Sequence, residues 1–193
     1  LHALPIFHVH GLLVAINTVL AAGSSMLFLP RFDADEVVRV LPQATVMMGV
    51  PTFYTRLLQH PGFTRDAAAK VRLFVSGSAP LLAETHREFR ARTGHAILER
   101  YGMSETLMNT SNPYDGERVA GSVGPALPGV ELRITDPESG TPLSDEGVGM
   151  IEVVLKSDTV ANITRRDGGA QAAFSEEPLM NWLRKYNRTP AEV

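Results

Sequence analysis

The sequence has no cysteine, which excludes disulfides and thiolate metal sites and leaves the redox compartment open. It also lacks a charge surplus of either sign. Lys+Arg number 18 against 21 Asp+Glu, a net charge of −3, so there is no electrostatic case for nucleic acid or an anionic membrane as partner. No apolar run is long enough for a membrane span. The longest, Gly11 to Leu29, is interrupted by Asn17, Thr18, Gly23, Ser24 and Ser25 and reads as a buried helix followed by a core strand from Ser25. There is no initiator methionine, no internal repeat and no visible signal or transit peptide. The chain opens directly on the apolar stretch Leu1 to Phe7 and is expected to be a piece of something longer. What is present is an ordinary globular balance of 44% hydrophobic and 20% charged residues over 193 positions, enough for one large domain.

The first half alternates strand and helix signals about every twenty residues. Asp33 is a credible N-cap for a helix to Leu41, with Glu36 three residues on as in a capping box. Thr45 to Val50 is a continuous apolar run, as in a buried parallel strand. Pro51 opens a further helix to Gln59. Val71 to Val75 is the next strand and ends at Ser76-Gly77-Ser78-Ala79-Pro80. A helix from Leu82 to Thr93 stops at Gly94, and Ala96 to Glu99 is a strand leading to Arg100-Tyr101-Gly102-Met103-Ser104-Glu105-Thr106. The fold class expected is α/β, a largely parallel sheet with flanking helices. In such sheets ligands bind beyond the strand carboxyl ends, where Ser76–Pro80 and Tyr101–Thr106 are both expected to lie. After a turn-rich connector from Gly121 to Gly129, Val130 to Thr135 and Gly149 to Leu155 read as strands of a β-rich subdomain. Ala161 to Ala173 is polar and turn-prone, and Glu177 to Tyr186 is read as one short helix.

The stretch 101–106 offers a ring to stack on a heterocycle, hydroxyls for a phosphate and one carboxylate for a metal. Hydroxyl-rich turns also cap helices, and Glu105 would equally suit a helix N-terminus. Arg56 can be read as a solvated charge, Met108 as core, and Ser78 as a strand terminator. His8 and His10 share one face of an extended segment, with no third ligand evident to make a metal site.

Four segments taken together carry more weight: Pro5-Ile6-Phe7-His8-Val9-His10-Gly11, Gly49-Val50-Pro51-Thr52, Ser76 to Leu81, and Glu99 to Thr106. Their order and spacing resemble the adenylate-forming superfamily of acyl-CoA synthetases, peptide-synthetase adenylation domains and luciferases. His-Val-His-Gly, Gly-Val-Pro-Thr-Phe-Tyr-Thr-Arg and Thr-Leu-Met-Asn-Thr-Ser are similar to the malonyl-CoA synthetases within it. The resemblance implies part of that superfamily's large N-terminal domain: a partial AMP-binding core over 1–120, a partial β-rich subdomain over 121–155, and an unmatched tail over 156–193. It implies ATP and coenzyme A as co-substrates, Mg²⁺ as cofactor, small-molecule partners, and a cytoplasmic setting or the mitochondrial matrix of a eukaryote.

By the same resemblance Tyr101 stacks on adenine, with Gly77, Ser78, Ala79 and Gly102 around the nucleotide. Ser104 and Thr106 offer hydroxyls to the phosphates, Ser104 standing where the family usually has threonine. Glu105 holds Mg²⁺, and His8 lies beside the reacting carboxylate. Arg56, Arg100 and Ser78 bind the acid's second carboxylate, while Val9 and Met108 border its C2 substituent. His10 has no assignment. The family's phosphate loop would precede His2, and neither Lys156 nor Lys185 has the surroundings of its catalytic lysine. A chain without ligase turnover of its own is therefore expected, either as a fragment of an active ligase or as a relic that at most binds nucleotide. An amino-acid-activating domain is disfavoured, because the pocket offers arginines where an aspartate is needed for an amino group.

Overall fold

The computed structural model describes residues 1–143 and 147–155, with the backbone strands at 162–166 and 169–173. The chain separates into two compact units, Leu1–Pro125 and Ala126–Val193.

In the first unit, helix α1 opens as a π-helix over His10–Ile16 and continues as α-helix over Asn17–Ala21. Helix α2 (Ala34–Val40) ends in a 3₁₀ turn, Leu41–Gln43, and leads to strand β1 (Val46–Gly49). Then come α3 (Pro51–Gln59), α4 (Arg65–Ala68), β2 (Leu73–Ser76), α5 (Ala83–Thr93), β3 (Leu98–Met103) and β4 (Leu107–Ser111). The sheet order is β1-β2-β3-β4. β1, β2 and β3 run parallel, and β4 returns antiparallel to β3.

Continuous apolar runs make these strands because the sheet is covered on both faces. Alternate residues enter two separate cores. Met47, Phe74 and Ile97 pack with Tyr54, Phe63 and Phe89 of the helical side. Met48, Val75 and Leu98 pack with Val14 and Ala15 of α1. In the first core the Phe89 ring stands edge-on to Tyr54 at 5.4 Å and to Phe74 at 4.9 Å. The Tyr54 hydroxyl donates to the Val75 carbonyl at 2.5 Å, which fixes α3 to β2, and burial pushes that phenol's pKa upward.

Local signals set several boundaries as expected. Asp33 Oδ1 accepts the Glu36 amide at 3.1 Å, although the Glu36 carboxylate pairs with Arg39 instead of completing a capping box. Gly94 ends α5 in the left-handed region, φ 81°. Other expectations are corrected. α1 is buried on one side only: Val14 and Ala15 face the sheet, while Leu12, Leu13 and Leu20 are exposed because nothing in this unit covers them. Ser25–Leu29 is not a core strand. It makes a single parallel bridge, His2 to Phe28, and Phe28 is half exposed, since hydrophobicity alone supplies no second strand to pair with. α4 was not foreseen; the Thr64 hydroxyl caps it through the Ala67 amide at 3.2 Å.

The second unit carries β5 (Val130–Thr135) and β6 (Met150–Leu155), antiparallel in unbroken register from Val130 opposite Leu155 to Thr135 opposite Met150. Asp136 shapes the turn after β5, accepting from the amides of Glu138 and Ser139 at 3.0 and 2.8 Å. Strands β7 (Asn162–Arg166) and β8 (Gly169–Ala173) extend the sheet where a turn-prone stretch was expected. The helix expected over Glu177–Tyr186, with Lys156 and Lys185, lies outside the described residues. Among the described residues no helix is long and apolar enough to cross a membrane.

Candidate functional site

A cavity of about 850 Å³ opens at the carboxyl ends of the three parallel strands. Val50 follows β1, Ser78 follows β2, and Gly102 and Met103 close β3; all four line it. Parallel topology makes this convergence, because every carboxyl end lies on the same sheet edge. The Ala3–Gly11 segment forms the opposite wall, and Phe32 and Phe53, stacked at 4.0 Å, form a third. Gly11 permits the wall. A Cβ there would lie 2.2 Å from the Pro5 carbonyl oxygen, so only glycine lets the loop fold onto the start of α1.

The segment expected as a loop beyond β3 is a hairpin. Strand β3 continues through Tyr101 to Met103, and the chain turns at Ser104–Thr106 into β4, with a register shift between Tyr101 and Gly102. At Gly102 a Cβ would strike the Leu107 oxygen at 2.0 Å, so glycine is obligatory at this bulge. Ser104 and Glu105 are exposed at the cavity edge, and Thr106 is turned inward and buried. Thr106 Oγ1, Thr110 Oγ1 and both side-chain polar atoms of Asn109 are buried without a hydrogen-bond partner among the described residues. Such atoms are rare in folded proteins and commonly meet water or ligand.

Arg100 precedes the bulge. Leu98 packs toward α1, so strand alternation turns Arg100 to that face and Tyr101 to the other. The Arg100 guanidinium is partly buried, which lowers its pKa, yet arginine stays cationic. Its Nε is buried without a hydrogen-bond partner among the described residues. Beside it His10 is buried, and its Nδ1 lies 3.2 Å from Ser78 Oγ. Burial, then the Arg100 and His2 charges, push His10 down to about 4, so it is neutral at physiological pH. Ser78 has a left-handed backbone, φ 69°, and reaches the cavity surface.

The cavity thus brings together His8, Val9, Ser78, Gly102, Ser104 and Glu105. The other residues singled out in the sequence stand around it. Gly77 is buried against the His10 ring, and Ala79 is exposed in the same loop. Tyr101 is half-buried in β3, and Met108 packs against the α1-side core. Arg56 is exposed on α3, its guanidinium 4.8 Å above the ring of the cavity residue Phe32.

Sequence reasoning passed over three residues. Glu99 is buried, its Oε1 accepts the Leu81 amide at 3.0 Å, and burial raises its pKa; it ties the Ser76–Leu81 loop to β3. Asn112 donates through Nδ2 to the Glu99 carbonyl at 3.1 Å and accepts the Val119 amide at 3.2 Å. Asn109 is fully buried. A carboxylate between Leu98 and Arg100 in an apolar strand was the available signal for the first.

No group of three or more His, Cys, Asp or Glu among the described residues could hold a metal ion. A lone carboxylate such as Glu105 suits a cation that takes most of its ligands from phosphate and water, as Mg²⁺ does.

Residues 1–162 match the family described as AMP-binding enzyme. The mitochondrial malonate–CoA ligase ACSF3 of Mus musculus is 42% identical over 160 residues, which cover 74% of this chain and 27% of that protein. The malonate–CoA ligase of Arabidopsis thaliana is 39% identical over 180 residues, 83% of this chain and 29% of its own length. Among solved structures, ATP-bound MatB from Rhodopseudomonas palustris aligns with a TM-score of 0.77 at 65% identity, covering 79% of this chain and 30% of that one. The chain spans less than a third of the length of these relatives.

Proposed function

The chain belongs to the AMP-binding enzymes, and on that premise we propose that it forms one wall of the active site of an acid–CoA ligase that activates malonate or methylmalonate. The observation that carries this reading is the partly buried Arg100, its Nε without a partner among the described residues, beside a neutral histidine that lines the cavity. A cation withdrawn from water calls for an anion, and a dicarboxylate retains one after its first carboxylate has reacted. The malonate–CoA ligases of mouse and Arabidopsis support the same acid.

The reaction has two steps. A carboxylate oxygen of the acid forms a bond to the α-phosphorus of ATP, and the bond to pyrophosphate breaks. The thiol of coenzyme A then gives up its proton and forms the thioester, with AMP departing. In this reading Tyr101 stacks on adenine, with Gly77, Ser78, Ala79 and Gly102 around it. Ser104 and Thr106 donate to phosphate oxygens, and Glu105 holds Mg²⁺, which neutralises phosphate charge when bound. His8 sits beside the reacting carboxylate, Arg56 and Arg100 hold the free one, and Val9 and Met108 border C2. The setting is the cytoplasm or, in a eukaryote, the mitochondrial matrix.

Calorimetric titrations of two variants test the division of labour. Arg100→Ala is expected to weaken malonate about tenfold or more while changing AMP little, and Tyr101→Ala to do the reverse. Equal losses of both ligands in both variants would contradict the assignment.

A further inference from the structure

His10 lies on the cavity wall with no role in the assignment above. It is buried, and its Nδ1 approaches Ser78 Oγ at 3.2 Å. Ser78 is exposed on the cavity surface, and its left-handed backbone presents the hydroxyl from the loop after β2. A hydroxyl in that position rotates freely unless something fixes its proton, because it can donate once and accept twice.

The direction of the His10–Ser78 bond decides which ligand the serine accepts. If Ser78 donates to Nδ1, its oxygen faces the cavity as an acceptor and favours ammonium or hydroxyl donors. If Nδ1–H donates to Ser78, the serine proton is free to point at an anion. The Arg100 cation acts on His10 from the same face of the sheet, so the ligand expected at this wall is anionic and the second arrangement matches it. We propose that His10 is a positioning residue that donates from Nδ1–H to Ser78 Oγ and thereby aims the serine proton at the free carboxylate of the acid. The proposal rests on the dicarboxylate reading and adds to it the tautomer and the residue that sets it. Because His10 stays uncharged at neutral pH, the anion's charge is met by arginine and its geometry by the serine.

Imidazole ¹⁵N NMR of the 193-residue chain reads the tautomer directly. The expected spectrum near neutral pH has a protonated Nδ1 and an unprotonated Nε2 for His10, with the Nδ1 resonance displaced by Ser78→Ala. A protonated Nε2 with bare Nδ1, or no displacement in Ser78→Ala, overturns the proposal whether or not malonate binds. Titration with malonate and with acetate supplies the second readout. His10→Leu and Ser78→Ala should each weaken malonate about fivefold and the double variant no further, with His10→Asn, which keeps an N–H near the Nδ1 position, restoring most of the affinity. Additive losses, or no rescue by His10→Asn, also overturn it. If the NMR pattern is as expected but malonate binds no better than acetate, the dicarboxylate reading fails on its own.

Discussion

The two faces of the β1–β4 sheet are built to different ends. One face buries Tyr54, Phe63, Phe74, Phe89 and Ile97 completely, ring against ring, under α3 and α5. The other carries α1, which starts as a π-helix, buries a narrow stripe and leaves three leucines exposed. That second face also holds His10 and, by strand alternation, Arg100. Dense aromatic packing fixes the strands, and the looser face is where a partly buried cation is tolerated. π-helical turns recur at functional sites, and here His10 is the first residue of one.

The two faces should differ most in what they contribute to stability. Phe89→Ala should cost about 3–5 kcal/mol in urea unfolding, the range for deleting a fully buried aromatic. Leu20→Ser, on the uncovered side of α1, should stay within about 0.5 kcal/mol. Comparable losses would mean that the α1 face is covered as fully as the aromatic one.

A smaller effect sharpens it through pH. Unfolded, His10 takes up a proton near 6.5; folded, it refuses one until about 4. Over that window the unfolded chain binds more protons, so stability falls as pH drops from about 6.5 to 4, by up to about 3 kcal/mol, and is unaffected by this group above it. His2 and His86, both lowered chiefly by burial, act in the same direction. Glu99, raised by burial, opposes them above its ordinary value. His10→Asn should flatten the slope measured by urea titration across this window, and an unchanged slope would assign the dependence to the other groups.

Much of the first face was legible in the sequence. The apolar runs placed β1 and β2 to within two residues at each end, and Asp33, Pro51 and Gly94 marked helix ends through local chemistry that needs no distant partner. The hairpin was not legible, because whether Tyr101–Met103 continues as strand depends on pairing with Leu107–Ser111 and on the bulge at Gly102. Ser25–Leu29 failed for the converse reason, an apolar run with only His2 to pair against. At the site, the residues on the rim were visible as motifs. The roles of His10 and Glu99 were not, since they lie in contacts with Ser78 and Leu81, which only the fold brings near.

The acid end of the cavity is tested most directly by the affinity of the 193-residue chain for malonate against acetate at neutral pH. Malonate should bind at least about tenfold more tightly, the difference expected of one charge-assisted contact to a partly buried arginine, and Arg100→Ala should cut that preference about tenfold. Equal affinity for the two acids, or a preference for malonate undiminished in Arg100→Ala, would contradict that assignment.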